Sequence, residues 1–147
     1  MVLHKMEGLK DYLRFLQSSP AEVEALYQGL LISVTNFFRN PETFAVLKTK
    51  VFPKLTQDRS RHEPVRIWVL GCSTGEEAYS IAIAFAEFAE ASGRLIPVQV
   101  FASDLNGVAI EKARAGLYSK NILHDVSPER LRRFFVERRV PDRCMGN

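Results

Sequence analysis

The apolar positions change period along the chain, and that change divides it. Leu9, Tyr12, Leu13 and Leu16 recur at three- and four-residue intervals, which predicts an amphipathic helix over residues 5–17. Ser19-Pro20-Ala21-Glu22 then reads as a helix start: Ser19 caps, Pro20 suits the first helical position, and Glu22 closes a capping box. This second helix is predicted to run to Leu31. Asn40-Pro41-Glu42 repeats the signal and opens a third helix that ends before Pro53. Ser33-Val34-Thr35-Asn36-Phe37-Phe38-Arg39, between them, is a short loop of hydroxyl, aromatic and cationic groups.

After a polar linker over residues 56–64 the pattern shortens. Val65-Arg66-Ile67-Trp68-Val69-Leu70 is a brief apolar run, as expected of a buried strand. Gly71-Cys72-Ser73-Thr74-Gly75 is a turn, and helical period returns from Glu76 to Glu90 until Gly93 and Pro97 break it. Val98 to Ala102 is a second strand that ends at Ser103-Asp104. Asn106 caps a helix over Gly107–Ala115, which Gly116 stops, and Ser127-Pro128-Glu129 opens a last helix through Arg138. Strand–helix–strand–helix order implies parallel strands joined by a crossover, hence an α/β layer. The organisation is a helical front section over residues 1–55, the linker, an α/β part over 65–139, and a tail over 140–147.

The informative unit is strand, glycine turn, helix, strand, acid. Ligands of open α/β sheets bind beyond the carboxyl ends of the strands. Gly71 and Gly75 let the backbone turn sharply, and the turn presents the first N–H groups of the next helix. Asp104 closes the second strand about 30 residues on, where a carboxylate can accept both hydrogen bonds of a ribose diol. The turn is neither G-x-G-x-x-G nor a Walker sequence. Glu76 and Glu77, which follow it, would repel a phosphate but suit the positive end of the helix. A nucleoside that carries positive charge and no phosphate fits best, which favours S-adenosyl-L-methionine (SAM) over NAD or ATP. Glu76 can equally be a simple helix-capping group; Glu77 is the better ligand candidate.

Composition changes this picture little. The chain has 147 residues, the size of one ordinary domain, with 46% hydrophobic and 25% charged residues, as in a globular protein. No apolar run approaches the roughly 20 residues that cross a bilayer, and the start lacks a secretory h-region, so no membrane insertion and a cytoplasmic address are expected. Cys72 and Cys144 have no paired spacing, so neither a zinc site nor a disulfide framework is expected. The net charge of +3 gathers around Arg130, Arg132, Arg133, Arg138, Arg139 and Arg143. A solvated helix face and a loose tail account for it, and a nucleic-acid partner is not expected.

Three segments resemble one family. Gly71-Cys72-Ser73-Thr74-Gly75-Glu76-Glu77-Ala78-Tyr79-Ser80, Thr35-Asn36-Phe37-Phe38-Arg39, and Phe101-Ala102-Ser103-Asp104-Leu105-Asn106 followed by Glu111 to Tyr118 resemble the CheR family of chemotaxis-receptor glutamate methyltransferases. The likeness covers residues 9–135, with Ala78 where the family commonly has proline. It implies a partial Rossmann-like SAM-dependent methyltransferase sheet preceded by a small all-helical section. It also implies SAM as cofactor, S-adenosyl-L-homocysteine (SAH) as product, and a chemoreceptor or related signalling protein as methyl acceptor. Residue by residue, Thr35 and Arg39 would contact SAM, Arg39 near its carboxylate and near the transfer centre. Ser33 stands where a polar residue, usually Asn, reaches the ligand. Glu77 would take the methionine amine and Asp104 the ribose.

The family fold has further strands beyond this point, so whether this length of chain completes an enzyme stays open. A module that binds SAM or SAH without transferring a methyl group is the alternative. Two parallel strands leave the first with an unpaired edge. The chain is therefore expected either to be a piece of a longer protein or to form a homo-oligomer through that edge.

Overall fold

The structure, a computed structural model, describes residues 8–30, 35–57, 59 and 63–138. The chain divides into two compact units, residues 1–34 and 35–147.

In the first unit α1 (Leu9–Ser18) and α2 (Pro20–Leu30) form a helix pair. Ser19 is extended, and its N–H closes on the Leu16 carbonyl, which ends α1. Its hydroxyl then accepts from the Glu22 N–H at 3.4 Å, so the Ser19 half of the expected capping box is formed, but the Ser19 N–H is taken by Leu16 and Glu22 does not close the box. The Glu22 carboxylate also accepts a hydrogen bond from the Tyr12 hydroxyl at 3.0 Å, which ties the two helices together. Leu9, Leu13 and Leu30 stay exposed, since two helices alone cannot enclose an apolar stripe. The predicted first turn at residues 5–7 and the end at Leu31 lie outside the described residues.

The second unit opens with α3 (Pro41–Val46), a π-helical turn (Leu47–Val51) and α4 (Phe52–Thr56). The sequence predicts an end before Pro53, but the helical run continues to Thr56. A proline inside an α-helix has no N–H to donate and its ring collides with the carbonyl four residues back. Widening by one residue relieves both, and the Phe52 N–H bonds the Leu47 carbonyl, five residues back. Asn40 precedes this run in the left-handed region with no side-chain cap, so Pro41 at the first position carries the start.

β1 (Val65–Leu70), α5 (Glu76–Ala91), β2 (Val98–Ser103) and α6 (Gly107–Ala115) follow as expected. The strands are parallel, in register from Val65 opposite Val98 to Leu70 opposite Ser103. α5 supplies the crossover that parallel strands need. The Asn106 side chain accepts from the Ala109 N–H, and Gly116 in the left-handed region ends α6. This is the partial α/β sheet that the sequence predicts, preceded by helices. A short 3₁₀ turn (Lys120–His124), absent from the sequence reading, leads to α7 (Pro128–Phe134). α7 stops at Phe134 rather than Arg138. Phe135 is extended, and its ring meets that of Phe37 edge-on at 5.4 Å.

The core lies between α5 and the segments that pack on it. Phe37, Phe38, Phe44, Phe52 and Phe85 are buried there with Val65 and Val126. Val69, Cys72 and Ala78 form a smaller cluster under the turn. β1 is buried on one face only. Val65 and Val69 face inward, whereas Trp68 and Leu70 are each 68% exposed and Phe101 on β2 is 54% exposed. The expectation of a fully buried strand is thus met by half. Trp68 is a sheet-face residue whose indole N–H donates to the Ser103 hydroxyl at 3.1 Å.

The basic cluster is not simply a solvated face. Arg130 of α7 is half-buried, makes two hydrogen bonds to the Glu87 carboxylate on α5 (2.6 and 3.0 Å), and lies 3.8 Å over the Phe38 ring. Lys48 completes the pairing of Glu87. Arg133 meets Glu90 at 2.5 Å, one turn further along α5. Arg139 and Arg143 lie outside the described residues.

Candidate functional site

β1 ends where its backbone must reverse into α5. Gly71 (φ 66°), Ser73 (φ 49°) and Gly75 (φ 97°) all adopt left-handed backbone to do so. The two glycines differ in what surrounds them. At Gly71 a Cβ would meet nothing within 4 Å, so a neighbouring molecule can approach the backbone there. At Gly75 a Cβ would sit 2.9 Å from the Ala113 Cβ and 3.0 Å from the Tyr118 hydroxyl. The missing side chain of Gly75 makes room for α6 rather than for a ligand.

Tyr118 fixes the turn from outside. Its hydroxyl donates to the Thr74 carbonyl at 2.8 Å. Burial and then the nearby Glu76 carboxylate push its phenol well above the ordinary tyrosine range, so it stays a donor. Cys72 is the small buried residue that the sequence reading expects, its thiol raised chiefly by burial and then by Asp104.

Asp104 joins the turn to the end of β2. One carboxylate oxygen accepts from the Ser73 N–H at 2.8 Å, and the other accepts from the Asn106 N–H at 2.7 Å. The Cys72 N–H reaches the Ser103 carbonyl at 3.1 Å, so the ladder extends one step past the strands. Each carboxylate oxygen has a second lone pair, so Asp104 is held in place and keeps acceptor capacity toward a diol.

α5 begins on Gly75 without a side-chain cap, which leaves its first amides to other partners. Glu76 turns back and accepts from the Thr74 hydroxyl at 2.6 Å, a local side-chain contact rather than a cap on the helix amides. Glu77 is exposed, with no hydrogen bond or ion pair among the described residues. An anion on the positive end of a helix suits the fold and stays available to a cation.

The Thr35–Arg39 loop reaches α5 through its backbone. The Phe38 N–H donates to the Ser80 hydroxyl at 2.9 Å, and that hydroxyl donates to the Glu76 carbonyl at 2.6 Å. Phe37 and Phe38 are core residues rather than stacking surfaces. Their burial anchors the loop, with Thr35 half-buried at one end and Arg39 exposed at the other. The structure thus brings together the Gly71–Gly75 turn, Asp104, the first turn of α5 and the Thr35–Arg39 loop. Ser33 lies outside the described residues. Sequence reasoning missed Ser80 and Tyr118 as supports. A serine four residues after the helix start, able to bond back to a carbonyl, was the signal available for Ser80.

Open space at Gly71, an oriented carboxylate with spare acceptor capacity at Asp104 and a carboxylate at Glu77 that is unpaired among the described residues could receive a positively charged nucleoside without phosphate. Among the described residues no cluster of metal-ligating side chains occurs. No described helix is long and apolar enough to cross a membrane.

Comparison with known proteins agrees with this chemistry. The family described as CheR methyltransferase, SAM binding domain, matches residues 33–144. A chemotaxis protein methyltransferase of Salmonella typhimurium is 38% identical over 135 residues, 88% of this chain and 43% of that protein. The protein of the same name in Escherichia coli is 36% identical over 135 residues, 88% of this chain and 44% of its own length. An uncharacterised 104.1 kDa protein in the hypE 3′ region of Rhodobacter capsulatus is 37% identical over 138 residues, 94% of this chain but 14% of that protein. The chain spans less than half the length of each of these three relatives.

Proposed function

Because the chain belongs to the CheR methyltransferase family, we propose that it builds the front half of that family's methyl-transfer site. S-adenosyl-L-methionine is the cofactor of the matched domain. The observation that carries the reading is the Asp104 corner, where one carboxylate is oriented by two backbone amides at the ends of both strands. Asp104 would hold the ribose. Glu77 would pair with the methionine ammonium, and Arg39 and Thr35 would meet the carboxylate end. Ser33 stands with them by resemblance. Gly71 gives the ligand access to the backbone, and Gly75 keeps the turn pressed on α6.

Bound there, the cofactor would supply an activated methyl group. The proposed acceptor is a glutamate side chain of a chemoreceptor or related signalling protein, in a cytoplasmic setting. That assignment rests on the relatives' naming as chemotaxis methyltransferases. A carboxylate is nucleophilic at neutral pH, so the protein need only align it and exclude water. Arg39, beside the transfer centre, would orient it. The same naming favours transfer over mere retention of the ligand.

The test is calorimetry with SAH. Asp104→Ala and Arg39→Ala should each weaken binding several-fold; unchanged affinity in both would remove the site. We also propose that the outer edge of β1, unpaired among the described residues, pairs with a second copy. Light scattering that finds a monomer at every concentration would refute that pairing.

A further inference from the structure

Ser80 lies just inside α5, four residues beyond Glu76, and is fully buried. Its hydroxyl has two partners. It donates to the Glu76 carbonyl at 2.6 Å, which turns its lone pairs away from the helix. Through a lone pair it accepts from the Phe38 N–H at 2.9 Å, across 42 positions of sequence.

What this second bond holds is strained. Phe38 (φ 52°) and Asn40 (φ 58°) both occupy the left-handed region, and Arg39 stands between them. Neither is glycine, and for Phe38 in particular the Cβ makes that region costly. A loop of this kind keeps its form only where its surroundings impose it. The Phe38 ring is fixed by Phe44 at 5.2 Å and by the Arg130 guanidinium above it. Its backbone is fixed by Ser80. Arg39 therefore leaves the chain from a point fastened to the same helix that presents Glu77.

We propose that Ser80 is a positioning residue for Arg39. It touches no ligand; it fixes the backbone from which the guanidinium reaches the carboxylate of the cofactor's amino-acid end. This rests on the cofactor reading above and adds to it a residue whose effect is selective. A hydroxyl that merely satisfied a buried amide would matter equally for every ligand of the site.

The experiment is calorimetry on the full 147-residue chain with two probes, SAH and 5′-methylthioadenosine, which lacks the amino-acid end. Ser80→Ala should weaken SAH about three- to ten-fold, the worth of one hydrogen bond, and leave methylthioadenosine within about two-fold. On an Arg39→Ala background, Ser80→Ala should remove no further affinity for SAH, because the two act through one contact. Ser80→Cys, close in size but a weak acceptor, should behave alike if the alanine variant folds poorly. Equal losses for the two probes, additive losses with Arg39→Ala, unchanged SAH affinity, or loss of the fold in both Ser80 variants would each overturn the proposal. An unmutated chain that binds methylthioadenosine but not SAH would overturn it and leave Asp104's role standing. A chain that binds neither would remove the cofactor reading itself.

Discussion

At its first turn α5 carries Glu76 and Glu77 on a glycine start; three turns later it carries Glu87 and Glu90 against α7. The later carboxylates are paired: Glu87 meets Arg130 and Lys48, and the more exposed Glu90 meets Arg133. The earlier pair is divided, with Glu76 turned into the local turn and Glu77 unpaired among the described residues. Charge is neutralised by the protein where helices are held together, and at the other end one carboxylate is left unmatched among the described residues, as the proposed contact with a cation requires. The open end is kept rigid by other means. Its backbone is pinned by Tyr118, Asp104 and Ser80, and by the contact of Gly75 with Ala113.

The largest effect should come from breaking that backbone pinning. Gly75→Ala adds a Cβ 2.9 Å from the Ala113 Cβ at a φ of 97°. Left-handed strain and overpacking together should destabilise the fold by about 2–5 kcal/mol. Gly71→Ala meets only strain, since its Cβ position is open, and should cost about 1–2 kcal/mol. Urea unfolding of the two variants measures the difference. Equal losses would mean that α6 yields, and that the open end is less tightly built than the geometry shows.

The next effect belongs to the paired end. Hydrogen bonding from Arg130, helped by Lys48 and opposed by burial, lowers the Glu87 carboxyl from 4.5 to about 2. Its folded value lies below its unfolded one, so its contribution is fully present above about pH 4.5. It fades as pH falls toward 2. The loss should approach about 2–3 kcal/mol across that window. Thermal unfolding between pH 5 and 3 should show the slope, and Glu87→Gln should flatten it. A slope unchanged by that substitution would place the acid sensitivity in other carboxylates.

Much of this was legible in the chain because the signals were local. Glycine at 71 and 75, a capping Asn106 and a β-run ending in Asp104 report their own backbone. The π-helical turn was hidden because Pro53 reads as a stop, while the core around Phe52 makes continuing the helix more favourable. The Glu87–Arg130 pairing spans 43 positions, and no period of three or four can reveal it. The same holds for Ser80 and Phe38: each looks ordinary alone, and only the fold brings them together. The division of labour between Glu76 and Glu77 was readable as an open choice. What the chain alone does not show is the 2.6 Å contact that occupies Glu76 locally with Thr74.

The smallest change to stability should come from Glu77, and there binding and folding separate most cleanly. Glu77→Gln removes one negative charge from the positive end of α5, which should cost the fold about 0.3–1 kcal/mol. If that dipole contact were its whole purpose, ligand affinity would follow stability and change little. A carboxylate that meets an ammonium behaves differently. SAH should bind several-fold more weakly to the variant, while methylthioadenosine, which has no ammonium, should bind as before. Because the side chain is exposed, the deficit should shrink as salt rises and screens the pair. A loss shared by both ligands, or indifferent to salt, would place Glu77 with Glu87 among the groups that hold the helix, and the contrast between the two ends of α5 would disappear.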